Sequence, residues 1–159
     1  MTSIRFDFDL AAVERALDSV ERAELTAKDW GIIGQAAVVA ILERTEHGLN
    51  AYGLPFARYA PSTARARVKG GRRVSAVTLA YTGQMLGALT SSPLQDGVRL
   101  SFVNQAAEQL AQLHVKGTRH MPARNFLAIM PRTKTENQLA ELAARLIARR
   151  LLATVGADK

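Results

Sequence analysis

Apolar residues recur at helical spacing in several stretches of the chain and at every second position in one, and the two periods predict helices and a strand. Leu10, Val13, Leu17 and Val20 alternate with Glu14, Asp18 and Glu21, which predicts an amphipathic helix with an acidic outer face. A second helix begins near Thr26, with Trp30, Ile33, Ala37, Ala40 and Ile41 along one side. Gly31, Gly34, Ala36 and Ala37 on it are small enough to admit another backbone, and Gly48 after His47 is the expected C-cap. Thr82 is positioned to cap a short helix through Leu89, with Met85, Leu86 and Leu89 buried. Val98, Leu100 and Phe102 alternate with Arg99 and Ser101, and Asp96-Gly97 just before them predicts a hairpin whose other strand runs over 90–95. Asn104 caps a helix through His114, residues 124–130 read as a further short strand, and Thr133-x-x-Glu136 is a capping box opening a last helix. On that helix Leu139, Leu142, Leu146, Ile147 and Leu151 form the buried stripe, Glu141 and Arg145 make an exposed i,i+4 pair, and 155–159 is expected to fray.

The periodicity fails between Asn50 and Ser75, where Gly53, Pro55, Pro61, Gly70 and Gly71 punctuate an arginine-rich stretch. Residues 50–75 are therefore expected to form a long basic loop, with at most one short helix starting at Ser62, mobile and available as an assembly arm. The element order predicts an α+β fold: a small, mainly antiparallel sheet packed against helices on one face, with the long basic loop and a C-terminal helix. No internal repeat is present, and 159 residues form one domain, 1–159, long enough to bury about 70% of its unfolded surface.

Charge changes this picture more than composition does. The net charge is +7, but the first 46 residues carry five basic and nine acidic side chains, and residues 47–95 carry six basic and none acidic. An acidic N-terminal third on a basic chain suits head-to-tail contact between copies, or attraction to a polyanion. Arg58, Arg65, Arg67, Lys69, Arg72 and Arg73 are the candidate partner-binding residues. Nucleic acid is one reading of so many cations. Tyr52, Phe56 and Tyr59 precede the charges instead of interleaving with them as a stacking platform would, which favours protein docking.

Enzymatic chemistry finds little material. The chain has no cysteine, so neither disulfides nor thiolate chemistry can contribute. His47, His114 and His120 have no ligand-like spacing with a carboxylate, so no metal site is expected. None of the serines lies in a glycine-x-serine-x-glycine turn, and Lys69-Gly70-Gly71 does not match a phosphate loop. We expect no catalytic residues and no cofactor. No stretch is apolar for long enough to span a bilayer, and residues 1–9 lack the order of a signal peptide, which points to folding in the cytoplasm without membrane attachment.

Three segments carry a family pattern. Leu110 to Gly117 is followed by Met121-Pro122-Ala123-Arg124-Asn125-Phe126-Leu127; upstream lie Tyr81-Thr82-Gly83-Gln84-Met85-Leu86 and Pro55-Phe56-Ala57-Arg58-Tyr59-Ala60-Pro61-Ser62-Thr63. Together, over roughly residues 28–150, they resemble the phage virion-morphogenesis or tail-completion family. Tyr59 stands where that family more often has tryptophan, Leu110 where tyrosine is common, Asn125 where proline is common and Lys116 where a neutral residue is common. Tyr59, Thr82, Gly83, His114, Gly117, Pro122, Arg124 and Phe126 are the matching positions. The resemblance implies a structural protein of a tailed bacteriophage, located in the virion tail or neck and assembled in the host cytoplasm. It would act as a homo-oligomeric ring that meets the tail tube on one face and the head connector on the other, with DNA in the channel as a further contact. A nonspecific nucleic-acid-binding protein and a capsid assembly factor are the alternatives. Within the segments, His114 is expected to orient the loop near Gly117 by a hydrogen bond. Arg124 either clamps the chain onto that helix end or reaches a neighbouring subunit.

Overall fold

The computed structural model describes residues 4–5, 25–72, 74–80 and 82–157, the side chains of 4–5 and 150–157 excepted. The helix expected over Leu10 to Val20 lies outside the described residues, as do Arg73 and Tyr81. In chain order come β1 (Ile4–Arg5), α1 (Ala27–Glu46), α2 (Pro61–Lys69), α3 (Gln84–Gly87), β2 (Leu89–Pro93), β3 (Val98–Phe102), α4 (Gln105–Lys116) and α5 (Lys134–Ala157). The fold is α+β, with an antiparallel sheet in the order β1-β3-β2.

α1 starts where its sequence says it should. Thr26 accepts from the Asp29 amide while the Asp29 carboxylate accepts from the Thr26 amide, a reciprocal cap that satisfies two helix-end donors. The helix ends at His47 and Gly48, whose φ of +76° suits the residue without a side chain. Between these caps Trp30, Ile33, Ala37 and Ile41 are buried. α1 lies on β2 and β3 and carries α5 on another side, so it is the central element of the core. Gly34 is what lets it sit so close: a Cβ there would fall 2.8 Å from both Ser91 Oγ and Val98 Cγ1.

The hairpin has the predicted pairing with different edges. Pro93 pairs with Val98 and Leu89 with Phe102, so the strand begins at Leu89 and a four-residue loop, closed by Leu94 N donating to Gly97 O at 2.8 Å, contains Asp96-Gly97. Leu89 therefore belongs to β2, not to the preceding helix, because its side chain is buried on the sheet face shared with Leu100. α3 is only Gln84–Gly87, and its N-cap is Gly83 at φ +80°; the Thr82 hydroxyl reaches only the Gln84 amide, at 3.4 Å. Asn104 caps α4 as expected, accepting from Ala107 N at 2.8 Å. Thr133 accepts from Glu136 N, although the Glu136 carboxylate takes the Arg132 amide in place of the Thr133 amide. α5 continues to Ala157, past the expected fraying point, since no proline interrupts its run of leucines and alanines.

Residues 124–130 do not form a strand. Phe126 and Leu127 are buried as their pattern requires, and Phe126 is wholly inaccessible. The backbone around them is satisfied without a neighbouring strand. Asn125 O accepts from Ala51 N at 2.8 Å, and Arg44 Nη2 donates to Phe126 O at 2.6 Å and to Ala128 O at 2.9 Å. A single guanidinium on α1 thus replaces part of a ladder.

Candidate functional site

α4 stops at Lys116 because Gly117 takes φ +74° and ψ 175°, and a Cβ there would meet Ala123 N at 2.7 Å. A tight turn follows, closed by Thr118 N to Met121 O at 2.8 Å and Met121 N to Thr118 O at 3.2 Å. The chain then doubles back along the helix end, and Arg124 N donates to His114 O at 2.7 Å. So it is the His114 carbonyl, not its ring, that holds the loop.

The Arg124 side chain points the other way. Its Nε and Nη2 donate to Ala57 O at 3.3 and 3.1 Å, and Nη2 also to Arg58 O at 3.2 Å. Arg124 is therefore an intrachain clamp, but onto the backbone of residues 57–58 and not onto the helix end. Gly48 O and Leu54 O accept further bonds from Phe56 N and Asn50 N, so the first part of the supposed loop is stitched into the fold. Ala51 and Phe56 are buried.

α2 begins at Pro61, a residue suited to the first helical position because its missing N–H has no partner there in any case. Its face divides the candidate cations. Arg67 is 4% exposed; it donates from Nη2 to Ala80 O at 3.2 Å and lies 4.6 Å from the Tyr59 ring centroid. It is not an arm residue, because the helix turns it inward against Tyr59. Arg65 and Lys69, four apart on the outer face, are exposed, as is Arg58, while Arg72 is half-buried. The expected arm over 50–75 thus narrows to the outer surface of α2.

Tyr59 is where the segments meet. Arg124 lies 5.6 Å from its ring centroid, so two buried arginines flank one aromatic ring. Between them lies a cavity of about 260 Å³ lined by Tyr59, Arg67, Leu79, His114, Pro122 and Arg124, among others. No Asp or Glu is among its lining residues. Tyr59 Oη and His114 Nδ1 are buried and have no hydrogen-bond partner among the described residues. Burial, with the Arg124 charge adding to it, holds the His114 imidazolium below the ordinary range, so the ring is neutral. Burial likewise lowers Arg124, partly offset by Tyr59. Leu79 takes φ +55°, a conformation that costs about 1 kcal/mol or more in a residue with a side chain.

Of the family-pattern positions, the fold brings together Tyr59, His114, Pro122 and Arg124, with Gly117 shaping the turn beside them and Phe126 in the core below. Thr82 and Gly83 are elsewhere, Thr82 lining a separate pocket with Val103 and Leu110. Arg44 is the residue that sequence reasoning missed. Its signal was present: a cation three residues after Ile41, on the apolar stripe of α1, has to find acceptors inside the fold. Among the described residues no three His, Asp or Glu side chains gather as a metal site requires, and no helix is long and apolar enough to cross a membrane. No family model, curated protein or solved structure matches the chain.

Proposed function

We propose that this chain is a structural subunit of a tailed bacteriophage or prophage particle. It completes the tail and joins it to the head connector as a member of a homo-oligomeric ring, assembled in the host cytoplasm and carried in the tail or neck. The observation that supports this reading most is the convergence of the family-pattern residues. Tyr59 and His114–Arg124 come from segments more than fifty residues apart, yet they build one clamp, with Arg124 reaching Ala57 across 67 positions. In that clamp the Arg124 and Arg67 guanidinium groups hold backbone, a role suited to a subunit that presents a fixed surface.

The outer face of α2 is that surface. Arg65 and Lys69 project from a helix anchored by Arg67, in a stretch without acids, and the acidic first third of another copy supplies the complementary charge. A heterologous contact of this kind closes into a ring when its rotation permits. The test is complementation of a phage lacking the chain with the double variant Arg65→Glu, Lys69→Glu. We expect a folded protein that leaves tailless heads beside free or overlong tails in electron micrographs. Normal infectious particles would refute the docking surface. The acid-free cationic face favours nucleic-acid binding as the second reading; tight, steeply salt-dependent binding of duplex DNA by the isolated wild-type protein would move that reading ahead.

A further inference from the structure

We propose that the open pocket between the end of α1, the turn at Tyr52 and the start of α5 binds a nucleotide unit, a planar base with its phosphate. The proposal does not rest on the assembly reading, and the site is separate from the outer face of α2. Three observations meet there.

First, the pocket joins the two stretches of the chain that hold no acid. Neither 47–95 nor 109–135 contains an Asp or Glu. The fold ties these stretches together through Ala51 N, which donates to Asn125 O, and residues of both line one pocket of about 460 Å³, enough for one nucleotide. Arg132 and Lys134 line it and are exposed, and neither side chain forms a hydrogen bond or ion pair among the described residues. Glu43 is the one carboxylate on the wall, where Arg44, Arg132 and Lys134 also lie. A phosphate entering the pocket therefore meets two accessible cations that no protein acid pairs with.

Second, an aromatic ring shares that wall. Tyr52 lines the pocket and is 57% exposed. Its turn is stiff: Asn50 Oδ1 accepts from Tyr52 N at 2.9 Å and from Leu54 N at 3.1 Å, Asn50 N donates to Leu54 O at 2.7 Å, and Gly53 takes φ +77°. A ring already held in place loses little freedom on binding. Bases of any identity stack on such a ring. Along the sequence the aromatic residues precede the arginines, but in space Tyr52 stands with cations from a distant segment, the arrangement that a stacking platform needs.

Third, the cation is as firmly rooted as the ring. Arg132 takes φ +61°, and its amide donates to the Glu136 carboxylate. A residue with a side chain keeps such a backbone only where its surroundings impose it. The planar guanidinium fork suits the paired oxygens of a phosphate. A bare phosphate would leave the ring uncovered, and an apolar ligand would leave the cations unanswered. A nucleotide meets both. It is either a free mononucleotide or one unit of a single strand, which present the same chemistry; a duplex keeps its bases stacked inside.

The experiment is fluorescence anisotropy of a labelled single-stranded oligothymidylate with the full-length protein, with thymidine monophosphate and inorganic phosphate as competitors. Saturable binding is expected. Displacement by the mononucleotide identifies the free nucleotide as the ligand, and resistance to it identifies the strand. Tyr52→Phe keeps the ring and should bind as the wild type does, whereas Tyr52→Leu should bind roughly tenfold more weakly, as loss of one stacked base predicts. The double variant Arg132→Gln, Lys134→Gln should lower the slope of log affinity against log salt by about 1.4, two phosphate contacts at roughly 0.7 each. These side chains are exposed, so the melting temperature should hold in every variant. Failure of the protein to bind any of the three probes would overturn the proposal, as would affinity unchanged in Tyr52→Leu or displacement by phosphate as effective as by the nucleotide. Binding lost in Arg65→Glu, Lys69→Glu but kept in the pocket variants would overturn it in favour of α2.

Discussion

The Arg44 clamp and the Arg124 clamp beside Tyr59 each tie a buried arginine to backbone carbonyls, and their surroundings differ. Arg44 Nη2 bridges Phe126 O and Ala128 O, and Nη1 lies 3.5 Å from Thr135 Oγ1, so one guanidinium joins α1, the 124–130 segment and the first turn of α5. Its Nε and the neighbouring Thr45 hydroxyl are without a hydrogen-bond partner among the described residues. At Tyr59 the guanidinium of Arg124 is also bound to carbonyls, but the phenol hydroxyl and the His114 Nδ1 near it are buried without a hydrogen-bond partner among the described residues. The first arrangement closes a gap in the backbone hydrogen bonding. The second leaves two buried polar atoms unsatisfied beside a bound guanidinium, a local cost in a fold that otherwise pairs its buried groups.

That contrast predicts where the molecule breaks. Phe126→Ala should have the largest effect, about 3 to 5 kcal/mol, because it empties a fully buried site beneath the clamp; urea denaturation would measure it. Arg44→Met should cost about 2 to 4 kcal/mol by leaving two buried carbonyls without donors, and Arg44→Lys should recover only part, since an ammonium cannot reproduce the fork. A neutral effect of Arg44→Met would show that 124–130 holds its course without the clamp. Gly117→Ala should cost about 2 kcal/mol or more through its backbone conformation and the clash with Ala123, read as a lowered melting temperature.

Smaller effects sharpen the comparison. His114 is held neutral in the fold, its pKa below the ordinary 6.5, so the unfolded chain binds more protons between the two values. Its contribution is therefore complete above about pH 6.5 and declines as the pH falls through and below that value. The wild type should lose stability over that interval relative to His114→Gln, measured as the difference in urea midpoints; parallel pH profiles would contradict a buried neutral ring. The smallest change belongs to α2. Arg65→Glu and Lys69→Glu should each shift stability by no more than about 0.5 kcal/mol, as exposed charges do, whereas Arg67→Glu, about half a turn from each and on the buried face, should disrupt the fold. Equal tolerance of all three would place Arg67 outside the core.

The elements that were legible in the chain are those whose signals are local. Thr26 with Asp29, Asn104 with Ala107, and Gly117 after Lys116 mark helix ends by interactions within a few residues, and the alternation of Val98, Leu100 and Phe102 fixes a strand against its hairpin neighbour. The errors share a cause as well. Residues 124–130 carry a strand-like apolar pattern, but their carbonyls are met by Arg44, more than eighty positions away, so burial was readable and hydrogen bonding was not. Arg67 resembled its neighbours Arg65 and Lys69 in sequence, yet the turn of α2 and the position of Tyr59 sent it inward.

By itself the sequence determined the α+β class, the capped helices, the hairpin, the uneven charge and the absence of thiol chemistry, because each follows from residue type or from spacing within a few turns of chain. Only the tertiary structure decided which arginines are buried, that Tyr59, His114 and Arg124 line one pocket, and which buried polar atoms lack partners among the described residues. Those facts depend on contacts between segments far apart in the chain, where the partner of a charged side chain is set by packing and not by its neighbours in sequence.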